Sequence, residues 1–488
     1  MYCNVNSATL NGLNSVQIKV EISATPGLPQ EAIIGLPDTV IKESRIRIKS
    51  AIKLSKFELP AMAYTINLAP IDLSKKSPCL ELAIAVGLLV VTNQIRIIDT
   101  YCFLGSLSLK GSIEPIRAIL PLLYFYPAKT TFVIPKKNIP DIQYLAGLKY
   151  KAISHLTDLR MIDSLAVQTI CFKQTTQHLL KSLLSFDNII GHHLAKQACA
   201  FAIAGHHHCL FVGSPGIGKT MLINHTKSLQ LPLRQSYAIE NYCVNSLISD
   251  TASYTDNAPF QMPHHTITYP GMIGGQNPPK PGEISLANHG ILFLDELGEY
   301  QRKILDTLRE PMETSKIKIS RAGQPVDFPA HFLLFAAMNP CNCGHYFSHD
   351  TPCKCRPTQV ARYWERISAP LRERFGICVI LSKPQQNKAT ISHQQLVDMV
   401  QTAQEIASHR NPNGCQNNAI NHHQLVELCQ FESNALEMID LFCQTTSYRS
   451  RQRLLALSLT IADCNGSKTI TPVHVSLSIQ LSQQSQLP

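Results

Sequence analysis

The pattern of apolar and polar positions changes character twice along the chain. In the first third, the runs "VQIKVEIS", "YTINLAP" and "TTFVIP" read as strands of β-branched alternation. Between them, "DTVIKESRIRIKSAIKLS" repeats apolar residues at helical spacing. The run "LELAIAVGLLVV" at 80–91 is apolar nearly throughout. Its 12 residues, which include Glu81, are too few to span a bilayer and predict a buried helix. Turn signals at Pro26-Gly27 and Gly35-Leu36-Pro37 complete an α/β pattern over residues 1–170. The polar stretch "CFKQTTQHLLKSLLSFDN" leads into a middle region, 186–384, with short buried strands such as "CLFV", "ILFL" and "HFLLFAAM". From 385 to 488 the chain is rich in Gln, Asn, His and Leu and shows helical periodicity. Thr471-Pro472 marks one helix start, and the tail "LSQQSQLP" is expected to fray. No internal repeat is visible.

Composition refines this picture only slightly. The 488 residues leave room for about three domains, and 44% hydrophobic residues supply a sizeable core. The net charge of +10 permits a polyanionic partner without specifying one, and 19 histidines add latent positive charge near pH 6. The first thirty residues lack a basic start followed by an apolar stretch, so no secretory signal is expected. A cytoplasmic, membrane-free location is the expectation, in which the 16 cysteines stay reduced.

The middle region carries the chemistry. After "CLFV" comes "GSPGIGKT": Gly213, Ser214, Pro215, Gly216, Ile217, Gly218, Lys219 and Thr220. A Gly-rich turn between a strand and a helix, here "MLINHTKSL", aims backbone N–H groups at phosphate oxygens. Lys219 supplies a point charge to the β- and γ-phosphates, and Thr220 a hydroxyl to Mg²⁺. The strand "ILFLDE" then ends in Asp295 and Glu296. Asp295 would hold Mg²⁺, and Glu296 would orient and activate water. "RKILDTLREPMET" reads as an amphipathic helix, "SKIKISRAGQPVDFPA" as a β-hairpin, and "HFLLFAAMNP" as a buried strand tipped by Asn339. Asn339 could contact the γ-phosphate or the lytic water. Arg374, in "APLRERFGICVIL", could act as an arginine finger from a neighbouring subunit.

Four cysteines, Cys341, Cys343, Cys353 and Cys355, have the spacing C-x-C-x9-C-x-C. They are candidate ligands of a structural Zn²⁺, with His345 and His349 as alternative ligands. The other reading is four reduced thiols that merely cluster.

The order of these motifs resembles AAA+ ATPases of the magnesium-chelatase-like branch. More narrowly, "MPHHTITYPGMIGGQNPPKPGEISLANHGILFLDEL", "LREPMET", "AAMNPCNCG", "ERISAPLRERF" and, near the start, "IIGLPDTVIKESRIRIKSAI" resemble the ComM/YifB family. The resemblance implies a Lon-protease-like (S5 domain 2-like) α/β domain at 1–170, a parallel-sheet AAA+ core at 186–384 and a helical lid at 385–488. It implies a hexameric, ATP- and Mg²⁺-dependent DNA motor that promotes branch migration in recombination during natural transformation. It assigns sensor 1 to Asn339 and the finger to Arg374. Sensor 2 goes to Arg449, with Arg453 as the alternative.

Three departures from the family pattern stand out. They are Arg372-Glu373-Arg374 in the finger segment, the order Ala287-Asn288-His289-Gly290, and Gly298 in place of a usual proline.

DNA contacts are expected from two loops. One is the insert at 263–290, with His264, His265, a flexible Gly/Pro stretch and Lys280. The other is the 315–327 hairpin, with Lys316, Lys318 and Arg321. His264 and His265 could equally be packing near the nucleotide. The Lon-like resemblance places Cys79 near a nucleophile position, but no lysine occurs from 111 to 123, so Cys79 is expected to be a core residue. Two further readings stand beside the DNA motor. One is a chelatase- or chaperone-type ATPase that remodels a protein, and the other an ATP-dependent peptidase.

Overall fold

Strict alternation governs the strands that carry the chemistry. In the computed structural model, five parallel strands lie in the order Phe260–Gln261, Ile291–Leu294, Leu333–Met338, Cys209–Gly213 and Ile377–Leu381. The structure describes all residues except 36–38, 72–77, 98–100, 172–183, 321–324, 349, 384–390, 444–447 and 483–488. Arg321 and His349 therefore lie outside the described residues, as does nearly all of the tail.

A parallel sheet must be covered on both faces, so its strands are apolar on both. Leu210, Val212, Leu292, Leu294, Leu334 and Ala336 enter one buried cluster. Cys209, Phe211, Ile291, Phe293, Leu333 and Phe335 enter another. The second cluster is closed by the helices His193–Gly205, His393–Arg410 and Tyr448–Cys464. The first cluster continues into the amino-terminal region.

There, eight strands form a mixed sheet in the order Gln168–Thr169, Lys149–Ile153, Thr131–Pro135, Tyr101–Phe103, Tyr2–Asn11, Asn14–Thr25, Ala63–Ala69 and Gln30–Ile34. The expected buried helix is present at Glu81–Val91. Its one acid survives burial because it is fully partnered. Glu81 accepts from Leu107 N–H at 2.7 Å, pairs with Arg47 at 3.1 Å, and accepts from the Ser44 hydroxyl. Cys79 is buried and its thiol reaches Ala8 O at 3.2 Å, as a core residue would. Among the described residues, no helix is long and apolar enough to cross a membrane.

Two local expectations are corrected. "RKILDTLREPMET" is not one helix but two, Arg302–Thr307 and Pro311–Thr314. Pro311 has no N–H to donate, so the helical hydrogen-bond ladder is interrupted there and the helix stops and restarts. The insert is also more ordered than its glycines predict. Helix Tyr269–Ile273 runs into a small antiparallel pair, Gly274–Gly275 with Lys280–Pro281.

Just before the phosphate-loop strand, His207 and His208 are 1% and 6% exposed. His207 Nε2 meets Thr460 Oγ1 at 2.8 Å, and His208 Nδ1 accepts from Leu334 N at 3.1 Å. Burial pushes both imidazoles down to about 3, so they fold neutral. The unfolded chain protonates them near 6.5. Their contribution to stability is therefore complete above that pH and is lost as pH falls from 6.5 towards 3. At pH 5.5 the loss is about 1.4 kcal/mol for each histidine. His208→Asn keeps an acceptor for Leu334 N. It should reduce the pH dependence of unfolding free energy between pH 7.5 and 5.5 by about that amount in denaturant titrations. An unchanged pH dependence would refute this account.

Candidate functional site

The register of the parallel sheet assembles the site. Val212 lies beside Met338, and Leu294 beside Ala336. Gly213, Asn339 and Asp295 therefore emerge together at the carboxyl edge, where open parallel sheets bind ligands. The phosphate-loop glycines have the conformations their roles require. Gly216 and Gly218 have φ of +74° and +100°, and nothing lies within 4 Å of a Cβ position at Gly216. That leaves the loop backbone open to a bulky anion.

Lys219 is 8% exposed. Its Nζ donates to Gly213 O at 2.6 Å, Ser214 O at 3.0 Å and Asn339 Oδ1 at 3.0 Å. All three acceptors are neutral, and among the described residues no carboxylate ion-pairs with it. Burial lowers its pKa, while Asp295 and Glu296 oppose that shift at longer range. A buried ammonium held only by neutral oxygens fits a phosphate.

Beside it, Thr220 Oγ1 donates to Asp295 Oδ2 at 2.7 Å. A hydroxyl and a carboxylate at that separation form the hard-oxygen pair that Mg²⁺ takes. Glu296 follows in a left-handed conformation, φ 52°, which turns its side chain off the strand axis. That side chain stays 60% exposed, with His265 Nδ1 at 3.5 Å from Oε2. Tyr300 sets this corner, since its buried hydroxyl donates to Pro263 O at 2.6 Å. His265 therefore faces the acidic pair rather than extending as a free loop tip.

Three arginines lie elsewhere. Arg374 donates to Pro370 O and Glu313 Oε1, each at 2.6 Å, and its buried Nε has no partner among the described residues. Arg449 reaches the same Glu313 at 3.3 Å and is 63% exposed. Arg453 is spent locally on Phe375 O, Ser450 Oγ and Arg449 O. Arg374, Arg449, Arg453 and Glu313 line one cleft of about 420 Å³ that contains no phosphate-loop residue. Within one chain, then, Lys219, Thr220, Asp295, Glu296 and Asn339 converge, and Arg374 and Arg449 do not join them. Glu313 was missed by sequence reasoning. It gives no local signal and matters only because Pro311–Thr314 lies beside Arg374.

Two of the three family departures have physical reasons. At Gly298 a Cβ would lie 2.8 Å from Tyr363 Oη, so the ring occupies the space of a side chain. Asn288, fully buried, donates to Glu240 and Asn241 at 3.1 Å and accepts from His331 N at 2.9 Å. His289 completes the pair with Glu240 at 2.6 Å.

The two candidate DNA loops meet. A Cβ at Gly274 in the insert would lie 2.9 Å from Ile319 Cδ1 in the hairpin. The hairpin is Lys316–Ile319 paired with Val326–Pro329. It buries Ile317 and Ile319 and exposes Lys316 and Lys318, while Lys280 is half-buried. The hairpin also touches the amino-terminal sheet, because a Cβ at Gly12 would fall 2.2 Å from Val326 Cγ1.

The four cysteines converge as well. The Sγ atoms of Cys341, Cys343, Cys353 and Cys355 lie within 4.8 Å of one another. His345 is not part of this group.

Comparison with known proteins agrees along the whole chain. The family described as "Magnesium chelatase, subunit ChlI" matches residues 185–389. "Subunit ChlI of Mg-chelatase" matches residues 20–138, and "Magnesium chelatase, subunit ChlI C-terminal" matches residues 391–482. Competence protein ComM of Haemophilus influenzae is 33% identical over 494 residues, covering 96% of this chain and 95% of ComM. YifB of Escherichia coli is 33% identical over 500 residues, with the same coverage of 96% and 95%. A partial similarity, 27% over 218 residues, reaches DNA helicase MCM8 of Bos taurus, spanning 41% of this chain and 24% of that protein. With a phosphate loop, an acidic strand end and an Asn-tipped strand in register, and with relatives matched nearly end to end, the chain belongs to the ComM/YifB family of magnesium-chelatase-like proteins.

Proposed function

We propose that the protein is an ATP-driven DNA motor of the AAA+ class, working as a ring of identical subunits, hexameric by family resemblance. Its task would be branch migration of recombination intermediates during natural transformation. The observation that carries the ATPase reading is the convergence of Lys219, Thr220, Asp295, Glu296 and Asn339 at one sheet edge. DNA as the substrate is supported by the likeness to a competence protein and, over part of the chain, to a DNA helicase. It is also supported by the exposed Lys316 and Lys318 of the hairpin, which touches the insert that carries the half-buried Lys280.

When bound, ATP supplies the phosphoanhydride to be split, and Mg²⁺ neutralises its oxygens. Lys219 would hold the β- and γ-phosphates, leaving its carbonyl partners. Thr220 and Asp295 would hold Mg²⁺ as two oxygen ligands. Glu296, exposed and steadied by His265, would take the proton of the attacking water. Asn339, now bound to Lys219, would turn its amide to that water or to the γ-phosphate.

Arg374 and Arg449 would complete the site of a neighbouring subunit, because their cleft lies apart from their own phosphate loop. Arg449, exposed and held by one ion pair to Glu313, suits the sensor 2 role better than Arg453, whose guanidinium makes three hydrogen bonds. The domain limits 1–170, 186–384 and 385–488 fit this reading, as does an amino-terminal Lon-like domain with no peptidase chemistry.

ATP turnover should rise when a synthetic four-way junction is added, more than with single-stranded or duplex DNA, and the junction should exchange strands. Glu296→Gln should retain nucleotide binding and lose turnover by about a hundredfold or more. Robust turnover that ignores every DNA would overturn the substrate assignment and favour a protein-remodelling ATPase.

The neighbouring-subunit role has its own test. Arg374→Ala should be inactive by a factor of about a thousand or more. Mixing it with the equally inactive Glu296→Gln should restore activity, since one supplies the acid and the other the arginine. No recovery at any mixing ratio would place Arg374 outside the site.

Lys316→Ala and Lys318→Ala should each lower DNA affinity evenly across sequences. Each should reduce the slope of log affinity against log salt by about one. An unchanged slope would remove the hairpin from the DNA path.

A further inference from the structure

Between Asn339 and the helix Pro357–Trp364, the described residues form no helix or strand. The four cysteines of this stretch come together. Sγ of Cys341 lies 3.3 Å from that of Cys343 and 3.7 Å from that of Cys353, and Cys343 and Cys353 are 3.5 Å apart. These separations are far beyond a disulfide bond of about 2 Å. They approach the spacing of about 3.8 Å that a tetrahedral ion with metal–sulfur bonds of about 2.3 Å imposes.

Backbone N–H groups aim at the same sulfurs. Those of His345 and Lys354 reach Cys343, and Cys355 N–H reaches Cys353 Sγ at 3.4 Å. Such donors offset the negative charge of a thiolate cluster and orient its ligands.

What this segment touches gives the cluster its importance. A Cβ at Gly344 would fall 2.5 Å from Cδ of Pro215, so the first cysteine turn lies directly on the phosphate loop. Gly344 has φ +80° and closes that turn through its N–H to Cys341 O at 3.0 Å. The segment then forms one wall of a cleft of about 820 Å³ over the loop, through His345, Phe347 and Ser348, opposite Ile190 and His192. Asp350 pairs with Lys383 across its rim at 2.5 Å. On the other side, Trp364 Nε1 anchors the base by donating to Pro340 O at 2.9 Å.

We propose that Cys341, Cys343, Cys353 and Cys355 bind one zinc-class divalent ion whose task is to hold the wall of the nucleotide cleft against the phosphate loop. The site is closed, since four protein sulfurs leave no open position, and it has no part in the chemistry. With the ion removed, the segment loses its main constraint, the Gly344–Pro215 contact loosens, and the cleft opens. This inference rests on the reading of the phosphate loop as an ATP site.

The test separates the two. Full-length protein, prepared without chelator, is analysed for metal by mass spectrometry. Zinc release is then followed with a colorimetric indicator during thiol titration by an organomercurial. One zinc per chain, released as the four thiols react, is expected whether or not the loop binds ATP.

Affinity for a fluorescent ATP analogue is measured before release, after release, and after thiol and zinc are restored. It should fall at least about tenfold, equivalent to about 1.4 kcal/mol, and recover. Cys353→Ser with Cys355→Ser should reproduce the loss, with the thermal transition checked to show that the chain is still folded. Absence of stoichiometric zinc, together with failure of stripped protein to take up added zinc, would overturn the metal site. Zinc that leaves without changing analogue affinity would overturn its role in the cleft. Protein that holds zinc but never binds the analogue would refute the ATP reading and leave the metal site standing.

Discussion

The site is organised around one buried cation. Lys219 carries a full charge into a position that is 8% exposed, and its three partners are carbonyl and amide oxygens. A buried ammonium is costly unless it is well hydrogen-bonded or paired with an anion. Here the hydrogen bonds are in place and the anion is left to the ligand. The neighbouring features follow from that arrangement. The loop must turn sharply enough to bring Gly213 O and Ser214 O to one nitrogen. The next strand must deliver Asn339 at the same height, which the pairing of Val212 with Met338 does. On the proposed ATP reading, the acids must stay close enough to help with Mg²⁺ but not so close that they neutralise Lys219. The Thr220–Asp295 hydrogen bond keeps the carboxylate occupied one step away.

Much of this was readable in the sequence because phosphate chemistry uses contiguous residues. A glycine turn, a lysine and a threonine must follow one another to wrap an anion, so the motif survives without any knowledge of tertiary structure. The alternating runs "VQIKVEIS" and "YTINLAP" became strands for the same local reason. The first strand, Tyr2–Asn11, was not read as one. Its buried face includes Ser7 and Thr9, and the Ser7 hydroxyl donates to Phe103 O, 96 positions away, at 2.7 Å.

The misses share that cause. Glu313 as the common partner of Arg374 and Arg449, Gly344 on Pro215, and Gly12 on Val326 are all contacts between distant segments. Nothing in a short window announces them. The break at Pro311 was readable in principle. The apolar periodicity of the flanking residues masked a proline whose missing N–H decides the matter.

The arrangement of contacts also bears on how the nucleotide could move DNA. On the proposed reading, the phosphates are sensed at two points, Asn339 and Glu296. From Glu296 the chain of contacts runs through His265 into the 263–290 insert, from Gly274 to Ile319 of the hairpin, and from Val326 to Gly12 of the amino-terminal sheet. From Asn339 it runs two residues on into the cysteine segment and back to Pro215. The first path leads outward to the exposed lysines; the second returns to the site. A motor needs both kinds of connection, one that transmits and one that keeps the nucleotide seated while the other moves. The hairpin suits the first task. Ile317 and Ile319 anchor its leading strand and Val326 and Phe328 its return strand, so a shift at Gly274 would carry the exposed Lys316 and Lys318 along with the hairpin. The cysteine segment suits the second, because the proposed ion would cross-link four side chains in a stretch whose described residues form no helix or strand. The division is physical. Side chains packed on a strand pair can slide, whereas ligands fixed around a single ion cannot.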